Sequence, residues 1–258
     1  MISHRCNHVR VLYLFLAAVL CRPAPAQDSA RLSDHNFHTW YMYFGDHPLG
    51  ESRWGIHFDG QFRRQGIGQR WQQLLLRPGV NYDLTAKLQL SGGYAFIRSH
   101  PYGDYPAKFV TPEHRIWEQF IVKNKVGEVG LTHRFRLEQR FIGVKVPGGD
   151  GRGRIDRYSL RHRFRYFIKG VVPIRRDAAG NNRYYLGLYN EIMFNFGREA
   201  TTTFDQNRAY AALGIRLPRV GNLELGYLQQ TVQQGNGRVI EFNHTLQIGI
   251  FSTLKIGR

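Results

Sequence analysis

Two stretches of the chain, residues 128–142 (EVGLTHRFRLEQRFI) and 157–170 (RYSLRHRFRYFIKG), alternate with a period of two. In the first, Val129, Leu131, Phe135, Leu137 and Phe141 share one face. Thr132, Arg134, Arg136, Glu138 and Arg140 share the other. In the second, Tyr158, Leu160, Phe164, Tyr166 and Ile168 oppose Arg157, Arg161, Arg163, Arg165 and Lys169. Successive side chains of a strand point to opposite sides, so this pattern predicts β-structure between two unlike surroundings. One side is apolar; the other holds many charges.

The same reading continues along the chain. Strand-like segments are predicted at 37–44, 52–64, 71–82, 87–98, 113–124, 184–196, 207–217, 222–233 and 239–251. In 52–64, Trp54, Ile56, Phe58 and Phe62 oppose Arg53, His57, Asp59, Gln61 and Arg63. Pro78 marks an edge, a bulge or a strand end. The phase of 113–124 stays open: either His114, Ile116, Glu118, Phe120 and Val122 or Arg115, Trp117, Gln119 and Ile121 face outward. The connections at 99–112, 143–156 and 197–206 are long. Those near 83–86, 125–127 and 218–221 are short. Short turns alternating with longer loops, and apolar half-strands of about 9–11 residues, match an outer-membrane barrel.

The expected fold is therefore all-β: an antiparallel up-and-down transmembrane β-barrel with a charged lumen. Eleven segments are visible, but bacterial single-chain barrels close with an even number. The expectation is ten to twelve strands, with twelve preferred. An inward run of the last strand would put the start of 37–44 outside. Either a strand is missing from the count, or 37–44 does not join the wall. A soluble sandwich would alternate too. Against it stand the aromatics near strand ends (Trp54, Tyr82, Tyr94, Phe141, Tyr158, Phe196) and the arginine-glutamate polar faces. Aromatic girdles and a narrow ion-paired lumen account for both.

Composition adds a location. Residues 1–26 (MISHRCNHVRVLYLFLAAVLCRPAPA) carry Arg5 and Arg10, an apolar run from Val11 to Leu20, and Ala24-Pro25-Ala26. This reads as a secretory signal with an A-x-A cleavage site. The apolar run is too short for a spanning helix, which needs about 20 residues. Lipid attachment at Cys21 is disfavoured by Leu20 before it. Residues 27–36 read as a polar N-terminal tail and 37–258 as the barrel. Cleavage after Ala26 removes Cys6 and Cys21, hence any disulfide or cysteine metal site. It also removes Arg5, Arg10 and Arg22 from the 36 basic residues, leaving 33 against 19 acidic ones. In an exported chain this excess points to anionic lipid or anionic solutes rather than nucleic acid.

Several pieces resemble an exported bacterial barrel family catalogued as domain of unknown function 2490. They include LLLRPGVNYDLTAKLQLSGGYAFIR (74–98), EHRIWEQF (113–120), LTHRFRLEQRF (131–141), LRHRFRY (160–166), YNEIMFNFG (189–197), FDQNRAYAALGIRL (204–217) and HTLQIGIF (244–251). They run in the family's order and cover nearly all of the mature chain. The resemblance implies an outer-membrane barrel with no established activity, so it transfers no site. Many such barrels end on an aromatic residue read by the insertion machinery. This chain ends LKIGR, with Phe251 inside the last strand-like segment.

The candidate chemistry is a lumenal charge network of Arg134, Arg136, Glu138, Arg140, Arg161, Arg163, Arg165, Glu191, Glu224 and Glu241. One reading is a plug of mutually neutralising side chains. Another is a basic constriction selective for anions. His133, His162 and His244 fall on apolar faces, and the hairpin could bring His133 and His162 together. A lipid-facing hydrolytic or metal site would use them, but it needs a nucleophile, and Ser159 falls on the opposite face. Neutral histidines at an interface are the simpler reading. The loop 147–154 (PGGDGRGR) lacks a P-loop's Gly-Lys-Ser/Thr ending and reads as a flexible external loop. Its Arg152 and Arg154 would face lipopolysaccharide phosphates. Asp83, Asp150 and Asp205 read as turn residues. No catalytic residue, metal or cofactor is expected. The partners expected are outer-membrane lipid, lipopolysaccharide and the barrel insertion machinery. The function expected is that of a structural, non-enzymatic barrel in the bacterial outer membrane. A small anion-selective pore and a lipid A-modifying enzyme are the alternatives.

Overall fold

The computed structural model describes residues 31–149, 151–218 and 220–257. The expected signal segment, both cysteines and Asp150 lie outside the described residues. Among the described residues there are eleven strands and no helix. The strands are β1 (Leu32–Pro48), β2 (Trp54–Gln65), β3 (Arg70–Asp83), β4 (Leu88–Ser99), β5 (Thr111–Val126), β6 (Val129–Val146), β7 (Arg154–Arg176), β8 (Asn182–Phe196), β9 (Phe204–Leu217), β10 (Gly221–Gln233) and β11 (Val239–Ser252). Each pairs antiparallel with its neighbour in sequence, and β1 joins β11 to close the barrel.

The closure corrects the expected count. The described residues form eleven strands, within the expected ten to twelve but not the preferred twelve, and these eleven close the barrel. With an odd number, the first and last strands run the same way, so the seam is parallel. It extends from Leu32↔Val239 to Gly45↔Ser252. β1 also begins inside the expected tail, at Leu32 rather than at residue 37, and its start does lie at the end bearing the longer loops. That end carries the connections 66–69, 100–110, 147–153, 197–203 and 234–238. The other end carries 49–53, 84–87, 127–128, 177–181 and 218–220. Closure satisfies the backbone groups that an open sheet edge would expose.

The period-two pattern is realised as a polar inside and an apolar outside. Arg136, Glu138, Arg163 and Arg165 are buried. Phe135, Phe164, Leu188, Leu213 and Leu225 are exposed on the outer wall. The open phase of β5 resolves with Glu113, Arg115, Trp117 and Gln119 inward. Ile116 then faces out, as does Glu118, to which the Gln139 Nε2 donates at 3.0 Å.

Local irregularities come from single residues. Pro78 lies inside β3, not at its end, and has no N–H to donate. The β3–β4 ladder is interrupted there, between Leu76↔Phe96 and Gly79↔Gly93. The backbones approach so closely that a Cβ on Gly93 would stand 2.3 Å from the Pro78 carbonyl oxygen. In β9 the pairing passes from Met193↔Gln206 to Phe194↔Phe204, so Asp205 is the extra residue of a bulge. Asp205 thereby enters the lumen, which corrects its reading as a turn residue.

The parallel seam has a distinctive register. Phe37↔His244 and Tyr41↔Ile248 keep the same offset, whereas an antiparallel seam could align one pair at most. The double variants Phe37→Cys/His244→Cys and Tyr41→Cys/Ile248→Cys should therefore both react with a short bifunctional thiol reagent. Cross-linking of only one pair, seen on denaturing gels, would exclude the parallel closure.

Candidate functional site in the lumen

The lumen is organised around Glu138, on the inward face of β6. Its side chain is fully buried. Arg163 from β7 donates to it through Nε at 2.8 Å and Nη2 at 2.5 Å. Arg165 donates through Nη1 at 2.8 Å. Arg77 from β3 and Arg115 from β5 stand at 3.6 Å. Four strands are thus tied to one carboxylate. These are charge-assisted bonds in a low-dielectric interior, where a bare carboxylate would be very costly.

The network spreads from this centre. Glu191 of β8 accepts from Arg165 at 2.7 Å, Arg134 at 2.8 Å and Arg208 at 3.4 Å. Glu113 takes Arg115 and Arg140, each at 2.6 Å. Asp59 takes Arg77 at 2.7 Å, and Asp205 takes Arg163 at 2.8 Å. Two further arginines bond only to amides. Arg136 donates to Gln119 at 2.9 and 2.5 Å and stands 5.0 Å from the Trp117 ring centroid. Arg63 donates to Gln61 and Gln73 and stands 3.8 Å from the Trp40 ring centroid. Stacking on an indole partly replaces the hydration that a buried guanidinium loses.

Seven of the expected network residues meet here: Arg134, Arg136, Glu138, Arg140, Arg163, Arg165 and Glu191. Three do not. Glu224 lies toward the short-turn end with Lys169 at 2.5 Å and Tyr185 at 3.0 Å. Glu241 lies at the long-loop end, where the Tyr102 hydroxyl donates to it at 2.6 Å. Burial and the Glu241 carboxylate push the Tyr102 phenol well above its usual range, so it stays a donor. Arg161 sits at the same end beside Gly235, and its Nε has no partner. Asp59, Arg63, Arg77, Glu113, Arg115, Asp205 and Arg208 carry no site signal in the sequence. Alternation does put Asp59 and Arg63 on the polar face of β2. The open phase of β5 conceals Glu113 and Arg115.

The count also corrects the idea of full mutual neutralisation. Nine arginines (63, 77, 115, 134, 136, 140, 163, 165 and 208) surround five carboxylates (59, 113, 138, 191 and 205). The core of the lumen is cationic.

Two cavities flank the plug. One, of about 740 Å³, opens toward the long loops, where Tyr102 and Tyr105 line it. The other, of about 270 Å³, lies toward the short turns. Gln61, Arg77, Arg165 and Arg208 line both and so stand between them.

The outward histidines do not form a site. His133 is opposite Ile168, and His162 is opposite Gln139. On β6 these positions are six residues apart, roughly 20 Å at the rise of a strand. The hairpin therefore keeps them apart, contrary to expectation. Each instead meets an aromatic residue: His133 Nδ1 is 2.9 Å from the Tyr166 hydroxyl, His162 stacks on Phe196, and His244 Nδ1 is 2.6 Å from the Tyr227 hydroxyl. Ser159 points into the barrel and donates to Glu199. Among the described residues no group of three or more His, Cys, Asp or Glu could hold a metal.

Removal of the central carboxylate should be severe. Glu138→Gln leaves guanidiniums buried without their shared counter-charge and should cost about 3–5 kcal/mol. Glu118→Gln, on the outer wall, should leave stability nearly unchanged. Urea unfolding of the refolded proteins in detergent compares the two. Equal stability of Glu138→Gln and the parent would refute the central role of this carboxylate.

Comparison with known proteins brings no activity to the site. No solved structure matches the chain. An uncharacterized protein of Methylorubrum extorquens is 29% identical over 195 residues, 72% of this chain and 74% of that protein. The model of the family described as protein of unknown function (DUF2490) matches residues 37–241, and the chain belongs to that family.

Proposed function

We propose that the protein is a structural β-barrel of the bacterial outer membrane whose lumen is stoppered by its own side chains. One observation carries this reading: the polarity is inverted relative to a water-soluble barrel. Large apolar side chains stand exposed around the outside, with Trp54 53%, Val80 54%, Leu213 65% and Leu225 54% accessible, while ion pairs fill the inside. Water on the outer wall would be unfavourable over so large an apolar area. Lipid removes that penalty, and a closed barrel presents no open sheet edge to it. Lipopolysaccharide and lipid are the surroundings this wall fits. Export by residues 1–26 and assembly by the barrel insertion machinery complete the proposal.

Stoppering rather than conduction is favoured by the layer between the two cavities. Arg163 and Arg165 bond directly to the fully buried Glu138, and Arg77 of β3 reaches across to within 3.6 Å of the same carboxylate. No enzymatic role is proposed: His133 and His244 meet tyrosine hydroxyls, His162 stacks on Phe196, and among the described residues no serine or carboxylate bonds to any of the three. Planar-bilayer recordings test this directly. Correctly inserted protein should give no conductance steps, and Arg165→Ala/Glu138→Ala, which opens the layer, should give some. Anion-selective steps from the parent protein, reduced on neutralising Arg134 or Arg163, would replace the stopper by a pore.

A further inference from the structure

The arginine excess is not spread evenly. Arg63 of β2 and Arg208 of β9 both lie against the Trp40 indole, 3.8 and 5.3 Å from its centroid. Both are over nine-tenths buried, at 6% and 8% exposure. Arg63 has no carboxylate partner among the described residues; its bonds go to the Gln61 and Gln73 amides. Arg208 reaches Glu191 only at 3.4 Å, and its Nε has no partner. Arg77 Nε, lining the same space, is also unpartnered. A guanidinium carries five N–H donors, so this wall retains unused donors as well as unbalanced charge.

Arg63, Arg77 and Arg208 line the larger cavity, about 740 Å³ in volume. Seven arginines line it, against Glu113 and Glu241 alone among acids. Glu113 is taken by Arg115 and Arg140, and Glu241 by Tyr102. Gln206 and Gln230 add further amide groups to the lining, and Tyr102 and Tyr105 of the 100–110 connection line its long-loop end. The floor is the ion-paired layer beneath Arg165. The cavity is thus a cup that opens toward the long loops.

We propose that this cup binds a phosphate group, free or as the monoester of a small solute. Buried cations without counter-charge are expensive, and a dianion at Arg63 and Arg208 supplies it. Planar guanidinium forks match the oxygens of a tetrahedral oxyanion by paired hydrogen bonds, which a spherical halide cannot exploit. The Gln206 amide donates one N–H to Asp205 and the Gln230 amide one to Gln206, which leaves the second N–H of each as a neutral donor to the remaining oxygens. The volume leaves room for a small organic group beside the phosphate. This inference rests on the lumen alone and stands or falls independently of the membrane location.

The test uses the full chain refolded in detergent, with folding verified by far-UV circular dichroism. Inorganic phosphate and glycerol 3-phosphate are titrated by calorimetry and by tryptophan fluorescence; a short-chain phosphatidic acid provides the lipid-borne arm. Saturable binding of both free phosphates is expected, without competition from the phosphatidic acid. Arg63→Gln and Arg208→Gln should each weaken binding by about tenfold or more, the loss expected for one charge-assisted pair. Arg63→Lys should retain part of it, and Lys169→Gln, in the other cavity, should bind like the parent. Trp40→Phe should abolish the fluorescence change while calorimetric binding persists. Absence of saturable phosphate binding to the folded parent would overturn the proposal. So would unchanged affinity in both arginine-to-glutamine variants, or preference for the phosphatidic acid.

Discussion

A single buried carboxylate, Glu138, holds four arginines from three other strands in place. The rest of the lumen depends on that constraint. A charge removed from water costs several kcal/mol unless it is paired and hydrogen-bonded, and each arginine drawn to Glu138 brings its own remaining donors to satisfy. Those donors recruit Asp59, Glu113, Glu191 and Asp205, and the network widens until it spans the barrel. The wall outside it is then free to be apolar.

Not all of the interior is ionic. Trp40, Met42, Tyr210, Ala212 and Leu228 form one buried apolar cluster, and Leu75, Ala95, Ile97 and Trp117 form another. Each contributes an indole against an otherwise uncompensated guanidinium, Arg63 on Trp40 and Arg136 on Trp117. The apolar clusters and the ionic core are therefore coupled. Where carboxylates run short, aromatic faces and amides take over. That substitution is incomplete at Arg63 and Arg208, which leaves the long-loop cavity cationic.

The alternation of β6 and β7 separates the arginines from the aromatics, and the aromatics near strand ends together with the arginine-glutamate pairing favour placing the charges inside. Family resemblance and the eleven segments are legible as well, but the even-number rule argues against the eleven strands actually present. Direction is a property of closure, and no residue of β1 or β11 announces a parallel seam. β5 is ambiguous because both of its faces mix aromatic and charged residues; Trp117 lies inside, packed with Leu75, Ala95 and Ile97 and with the Arg136 guanidinium over its ring. Asp205 is hidden for a different reason. A one-residue bulge shifts the alternation of its strand, and bulges leave little trace in a pattern. The histidines mislead because proximity across a hairpin depends on register, which sets His133 and His162 at different heights.

The barrel has an apolar outer wall and a charged interior, and the central proposal is that this wall faces lipid. Spin labels placed singly at positions 131–141 of β6, in protein reconstituted into bilayers, measure it most directly. Accessibility to oxygen should rise at 131, 133, 135, 137, 139 and 141 and fall between them, with little accessibility to a water-soluble nickel chelate at the outward positions. Outward positions open to the nickel chelate and shielded from oxygen would contradict the account.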